Sequence, residues 1–259
     1  MIVAAIQMTA GLNVEDNLRL AETLVDEAAA DGAELVALPE YFSFYGEESR
    51  WGEASSMGED ILARMSRLAG RLGIHLLAGS VLLPSEVEGK SANVSVLFGS
   101  DGGLIARYQK IRLFDATTSA GRYRESDWLA PGSVACVARV GLWTLGMAIC
   151  FDLRFPAHFA RLRKMGANVV AVPSAFTYET GKDHWMTLIR ARAIDNQCYI
   201  IAPALAGDAG RGRRCFGHSA VIGPWGEVLG VCEEGDGFVV AEMDFDNLEK
   251  IRKEMPLES

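Results

Sequence analysis

Histidine and basic charge are scarce in this chain, and each shortage narrows what it can do. Lysine and arginine number 25 against 34 aspartates and glutamates, a net charge of −9. That balance argues against a phosphate backbone or an anionic membrane as principal partner. The one basic cluster, GRGRR at Gly210 to Arg214, is short and glycine-flanked, as a solvated loop would be. No apolar run approaches the ~18 residues of a membrane span, and the opening strand follows Met1 with no signal-peptide layout. Cys136, Cys150, Cys198, Cys215 and Cys232 are scattered, with no CxxC pair and no Cys/His spacing suited to zinc. An odd, dispersed set without an export signal fits reduced thiols in a cytoplasmic protein that carries no structural metal. Linkers, low-complexity tracts and repeats are also missing, so residues 1–259 read as a single domain.

What is present is apolar material, 49% of the residues, arranged as alternating strands and helices. MIVAAIQM reads as a strand. The following helix has Asn13 as cap, Leu18, Ala21, Val25 and Ala28 on one face, and Gly32 just past its end. AELVALPE is a short strand stopped by Pro39, with Glu40 immediately outside. EDILARMSRLAGRLG carries an apolar stripe of Ile61, Met65, Leu68 and Leu72 and closes at Gly73, a second helix. HLLAGSVL, SANVSVLFG and GLIARYQKI are strand candidates, the last two joined by the hairpin signal SDGG. After an irregular stretch come the strand LWTLGMAI and a helix opened by Pro156. NVVAVPSAF (strand), DHWMTLIRARAIDN (helix) and CYIIAPAL (strand) follow, then three strands with glycine-rich turns and a short helix from near Asp246. Several strands are apolar on both faces, so both faces need covering. A three-layer fold satisfies this; two stacked mixed sheets with helices outside also do, and account better for so many strands among few helices.

The chemistry-bearing residues cluster at strand ends. In GMAICFDLRFP, Cys150 sits where an apolar strand gives way to a turn and a proline-started helix. Free cysteine is commonly a small core residue. A thiol at the carboxyl end of a strand instead occupies the place where α/β folds put ligands, with turn amides able to face an oxyanion. A thiol nucleophile needs a base, and His75, His158, His184 and His218 are each candidates on sequence alone. Glu40 is a candidate of another kind: it reads as an exposed loop glutamate or, flanked by Pro39, Tyr41 and Phe42, as a partly desolvated carboxyl raised toward a useful basicity. Lys110, in YQKIRLFD, reads as a solvated lysine or as a fixed ammonium opposite a developing negative oxygen.

LPEYF (Leu38 to Phe42), YQKIRLFD (Tyr108 to Asp115) and GMAICFDLRFP resemble, in order and spacing, the Glu, Lys and Cys motifs of the nitrilase superfamily, the carbon–nitrogen hydrolases. RESDWLAPG, PSAF with HWMTLIRARAIDNQCY, and GHSAVIGPWGEVLG resemble later segments of that family, so the likeness spans nearly the whole chain. The resemblance is nearest to the Nit-type amidases, a branch that includes omega-amidase and deaminated glutathione amidase. It implies an α/β fold, a four-layer αββα sandwich with two mixed sheets, paired into homodimers or higher homo-oligomers through the layer carrying the nucleophile. It further implies Cys150 as nucleophile, Glu40 as general base, Lys110 as oxyanion stabiliser, and Glu125 of YRES as a second glutamate. The backbone N–H of Phe151 would help to hold the oxyanion. No metal or organic cofactor is implied; the partner is a small carboxylate-bearing amide, hydrolysed through a thioester with release of ammonia.

A carboxylate-bearing substrate needs a cation. Arg154, four residues past Cys150, is the first candidate, against a structural ion pair with Asp152; Arg211, Arg213 and Arg214 are a looser second. Phe176 and Trp185 are candidate pocket walls, against the commoner core role of aromatics. Hydrolysis of N-carbamoyl compounds or nitriles would use the same Glu/Lys/Cys set. An amidase-like scaffold without activity and a Cys/His hydrolase of another fold are the remaining readings.

Overall fold

The structure is a computed structural model that describes residues 1–118, 121–208 and 214–257. β1 (Ile2–Met8) leads into α1 (Val14–Ala30), whose Asn13 cap accepts from the Glu15 and Asp16 amides at 3.1 and 3.3 Å. Those amides have no intrahelical acceptor, so the cap removes a cost of about 1 kcal/mol. β2 (Leu35–Ala37) is followed by α2 (Trp51–Ser56) and α3 (Gly58–Leu72), which ends at the left-handed Gly73. β3 (His75–Pro84), β4 (Ser91–Phe98) and β5 (Leu104–Gln109) form an antiparallel meander.

The stretch expected to be irregular holds a small hairpin, β6 (Asp115–Thr118) with β7 (Gly121–Arg124), and then β8 (Cys136–Val140). β9 (Trp143–Met147) precedes α4 (Pro156–Lys164), which does begin on Pro156. Next come β10 (Val169–Ala171), α5 (Tyr178–Asn196), β11 (Tyr199–Ala202) and β12 (Ala204–Asp208). CYIIAPAL is therefore not one strand. Pro203 divides it, and the halves join different sheets. The chain ends with β13 (Arg214–Phe216), β14 (Ser219–Ile222), β15 (Val228–Cys232), β16 (Gly237–Glu242) and α6 (Phe245–Glu254).

One sheet has the order β13-β12-β1-β2-β3-β4-β5, with β16 also against β1; the other runs β15-β14-β11-β10-β9-β8. Pairing is parallel among β12, β1, β2 and β3 and among β9, β10 and β11. Successive side chains of a strand point to opposite faces, and here each face meets its own core. Val3 and Ala5 of β1 pack between the sheets with Leu145, Val169 and Ile201, whereas Ala4, Ile6 and Met8 pack under α1 and α3. On the other side, Val170, Ile200 and Ala220 lie under Phe159, Leu162, Trp185 and Ile189 of α4 and α5. The layers are helix, sheet, sheet, helix. Strands apolar on both faces are the direct consequence, each fully buried large side chain stabilising by about 1.5–3 kcal/mol. No helix among the described residues is long and apolar enough to cross a membrane.

Candidate active site

The parallel strands of both sheets end at the same side of the sandwich, and the candidate residues emerge there. Glu40 follows β2 and bridges Ser80 of β3. The approach needs a residue without a side chain at Gly79, where a Cβ would run into the carbonyl oxygens of Leu38 and Pro39. Lys110 follows β5; its amide donates to Asn93 O (2.9 Å) and its carbonyl accepts from Gly132 N (2.8 Å). Cys150 follows β9 at the start of a 3₁₀ turn, Cys150–Arg154, with its amide donating to Pro173 O at 3.0 Å. The ladder of that turn begins at Asp152 N, which donates to Ile149 O, so the Phe151 amide lies ahead of its first hydrogen bond. Two backbone outliers fall here: Cys150 at φ +45° and Tyr41, next to Glu40, at +57°. Left-handed backbone costs a non-glycine residue about 1–2 kcal/mol, and such strain collects at sites of function.

The side chains converge on Lys110 Nζ. It donates to Glu40 Oε1 at 2.9 Å and to Glu125 Oε1 and Oε2 at 3.0 and 2.8 Å. Glu40 Oε1 also accepts from Asn93 Nδ2 (3.0 Å) and Oε2 from Ala175 N (2.9 Å). Glu125 accepts from Tyr41 Oη (3.1 Å) and Phe114 N (2.7 Å). The Cys150 thiol lies beside the Glu40 carboxylate and Ala175, the three lining one hollow. Glu40 and Lys110 are 1% exposed, so water does little to screen them.

Burial pushes the Glu40 carboxyl above its ordinary value and the Glu125 charge adds to this, while the Lys110 ammonium pulls it back. For Lys110, burial works against the charge, yet the Glu125 and Glu40 carboxylates outweigh it and hold the ammonium protonated. Burial, then the Glu40 charge, lifts the Cys150 thiol well above its usual value; Lys110 opposes this. The resting arrangement is a neutral thiol beside a carboxylate of raised basicity, with a permanent cation within reach of both.

Two small hollows open beside Cys150, of about 40 and 20 Å³, both lined by Cys150, Phe114, Ala175 and Thr177. The first is also lined by Glu40 and Glu125, the second by Phe151, Arg154 and Phe176. A larger cleft of about 640 Å³, between Leu83–Val87 and Ala130–Cys136, contains none of these groups. Arg154 does not pair with Asp152, which is fully buried and bonded elsewhere. Its guanidinium lies over the Phe176 ring at 5.4 Å and 3.4 Å from His184 Nδ1, and no carboxylate pairs with it among the described residues.

Trp185 is a correction: it is fully buried behind Phe176 (centroids 4.9 Å), its indole N–H donating to His218 O, and lines neither hollow. Arg214 stacks on Tyr178 and lines neither hollow, while Arg211 and Arg213 lie outside the described residues. No histidine lines either hollow; His158 is held by Met147 O and His218 by Phe216 O. Sequence reasoning passed over Asn93, whose signal is a polar set (Ser91, Asn93, Ser95) alternating with apolar residues along β4, and the Tyr108–Asp152 contact, which has none.

The family profile described as Carbon-nitrogen hydrolase matches residues 2–253. The chain is 40% identical over 260 residues to a deaminated glutathione amidase of Synechocystis sp., covering 98% of this chain and 96% of that protein. It is 38% identical over 245 residues to omega-amidase NIT2 of Xenopus tropicalis, covering 93% and 88%. The C. elegans NitFhit structure superposes with a TM-score of 0.91 at 33% identity; the match takes in 99% of this chain and 63% of that one. A variant of the Nesterenkonia sp. AN1 amidase, showing Michael addition of acrylamide at the active-site cysteine, superposes at 0.84 with 27% identity, covering 98% and 97%.

Proposed function

This chain belongs to the carbon–nitrogen hydrolase family, and on that premise we propose that it is a cysteine-dependent amidase acting on a small carboxylate-bearing amide. The observation that carries the reading is the convergence of separate segments on one hollow: two carboxylates bonded to one ammonium, with the Cys150 thiol beside them. Glu40 takes the thiol proton as Cys150 Sγ attacks the amide carbonyl. Negative charge then moves from Glu40 to the new oxyanion while Lys110 stays fixed beside both. A protonated Glu40 attracts the ammonium less, which frees an N–H of Lys110 for the oxyanion, and the Phe151 amide is the second donor. A preorganised pair of donors of this kind is worth about 10²–10³ in rate for each donor. Glu40 returns the proton to the departing nitrogen, leaving a thioester; water activated by Glu40 then releases the acid and restores the thiol.

Glu125 keeps Lys110 charged and aimed. Arg154 takes the substrate carboxylate, supported by its half-buried guanidinium beside Cys150 without a carboxylate partner among the described residues. The likeness to a deaminated glutathione amidase and to an omega-amidase favours a 2-oxo acid amide over N-carbamoyl compounds or nitriles. Residues 1–259 act as one domain, in the cytoplasm, paired into a homodimer. Exposed Ile194 of α5 lies against Gly226, which stands between exposed Trp225 and Val228, and this apolar group supports the pairing. The test is release of ammonia or amine from 2-oxoglutaramate, deaminated glutathione, N-carbamoyl amino acids and nitriles side by side. Turnover of either amide well above the others is expected; turnover of nitriles or carbamoyl compounds alone would overturn the substrate class.

A further inference from the structure

Lys110 and Cys150 hang from different sheets, one from the end of β5 at an edge of the first, the other from the end of β9 in the second. Between the sheets lies an apolar core, and apolar packing is non-directional. An oxyanion site needs its donors held to within about 0.5 Å, so a directional link between the two segments is required. Asp152 provides one. It is fully buried, its Oδ2 accepts from Tyr108 Oη (2.7 Å) and Ile149 N (2.9 Å), and its Oδ1 accepts from Arg112 N (2.9 Å). The donors stand two residues to either side of Lys110 and one residue before Cys150. No lysine or arginine pairs with Asp152 among the described residues, so neutral donors hold this carboxylate and each bond lost leaves a buried charge less satisfied. Burial and the Asp152 charge both raise the Tyr108 phenol, which keeps it a donor.

We propose that Tyr108 and Asp152 are a positioning pair that fixes the distance between the Lys110 ammonium and the Cys150 turn. Neither side chain lines the hollows beside Cys150; they act through the two residues they join. The proposal rests on the amidase reading for its effect on turnover, but its geometry is testable without turnover. Lys110 lowers the Cys150 thiol, so a change in their spacing moves the pH dependence of thiol reactivity.

The experiment follows alkylation of Cys150 by iodoacetamide through a pH titration, read by mass of the Cys150 peptide, together with steady-state hydrolysis of 2-oxoglutaramate. In Tyr108→Phe, loosening the brace shifts the alkylation midpoint upward by about half a pH unit. It also lowers kcat about tenfold or more, with KM within about twofold. Asp152→Asn, which keeps the shape, moves both in the same direction and decides the matter should Tyr108→Phe fold poorly. Tyr199→Phe is the control. It removes another buried hydroxyl of the same inter-sheet core, one that donates to Asp244 O and accepts from Asp244 N, each at 3.0 Å; it leaves both readouts at parent values. A Tyr108→Phe alkylation profile that superimposes on the parent, or one matched by Tyr199→Phe, overturns the pair. If the parent hydrolyses none of the amides, the functional reading falls, while the alkylation profiles still decide the brace.

Discussion

Replacing Lys110 by methionine keeps most of the side chain's length and removes its charge. In the parent, the ammonium lies 2.9 Å from Glu40 and 2.8 Å from Glu125, and all three groups are largely shielded from water. Without it, two carboxylates face one another with only neutral donors left: Asn93 and Ala175 for one, Tyr41 and Phe114 for the other. Breaking a buried ion pair by removing one partner costs about 3–5 kcal/mol. The folded variant avoids part of that by keeping a proton on Glu40, whose carboxyl is already raised. Above pH 4.5, the ordinary glutamate value, the unfolded chain releases that proton and the folded one does not. Stability then falls as pH rises, by about 1.4 kcal/mol per pH unit for each proton retained. Urea unfolding of parent and Lys110→Met across this range therefore shows a deficit that is smallest near pH 4.5 and reaches about 3–5 kcal/mol at neutrality. A deficit below about 1 kcal/mol at pH 7, or one independent of pH, refutes the reasoning.

Three further outcomes follow from the same geometry. Gly79→Ala drives β3 against the Leu38 and Pro39 carbonyls and displaces Glu40, so kcat falls about ten- to a hundredfold; a parent-like kcat contradicts the close approach. The acid limb of kcat/KM lies above the ordinary glutamate value, and Asn93→Ala moves it higher, because the lost donor favours the charged carboxylate; an unmoved or lowered limb removes Asn93 from the site. Arg154→Ala raises KM for carboxylate-bearing amides about tenfold or more, as expected for a lost charged hydrogen bond, and leaves neutral amides nearly unchanged; equal effects on both dismiss its binding role.

Much of this arrangement is legible in the sequence because strand ends and helix caps are local signals. Glu40 and Cys150 each stand just past an apolar strand, and Asn13, Gly73 and Pro156 mark helix ends where the structure has them. Other features depend on tertiary contact. Glu125 reads as a loop charge from its neighbours; its importance came from the family likeness, and its bond to Lys110 arises only when the segment after β7 folds back. Trp185 stands four residues before Ile189 on the face of α5 that meets the second sheet, so it is core rather than pocket wall. α5 begins at Tyr178, five residues before the expected start at Asp183, because extended Thr177 serves as its cap residue and its carbonyl accepts from Gly181 N at 2.8 Å. β8 gives a weak signal because CVARV, at a sheet edge, mixes half-buried, buried and exposed positions and holds an arginine.

The thioester on Cys150 is most directly tested by where the acyl group goes. After rapid mixing with 2-oxoglutaramate and acid quench, intact-mass and peptide mapping should show an adduct of substrate minus ammonia confined to Cys150, and Cys150→Ala should show neither adduct nor turnover. Hydrolysis that survives in Cys150→Ala, or an acyl group found on Cys136, Cys198, Cys215 or Cys232, contradicts it.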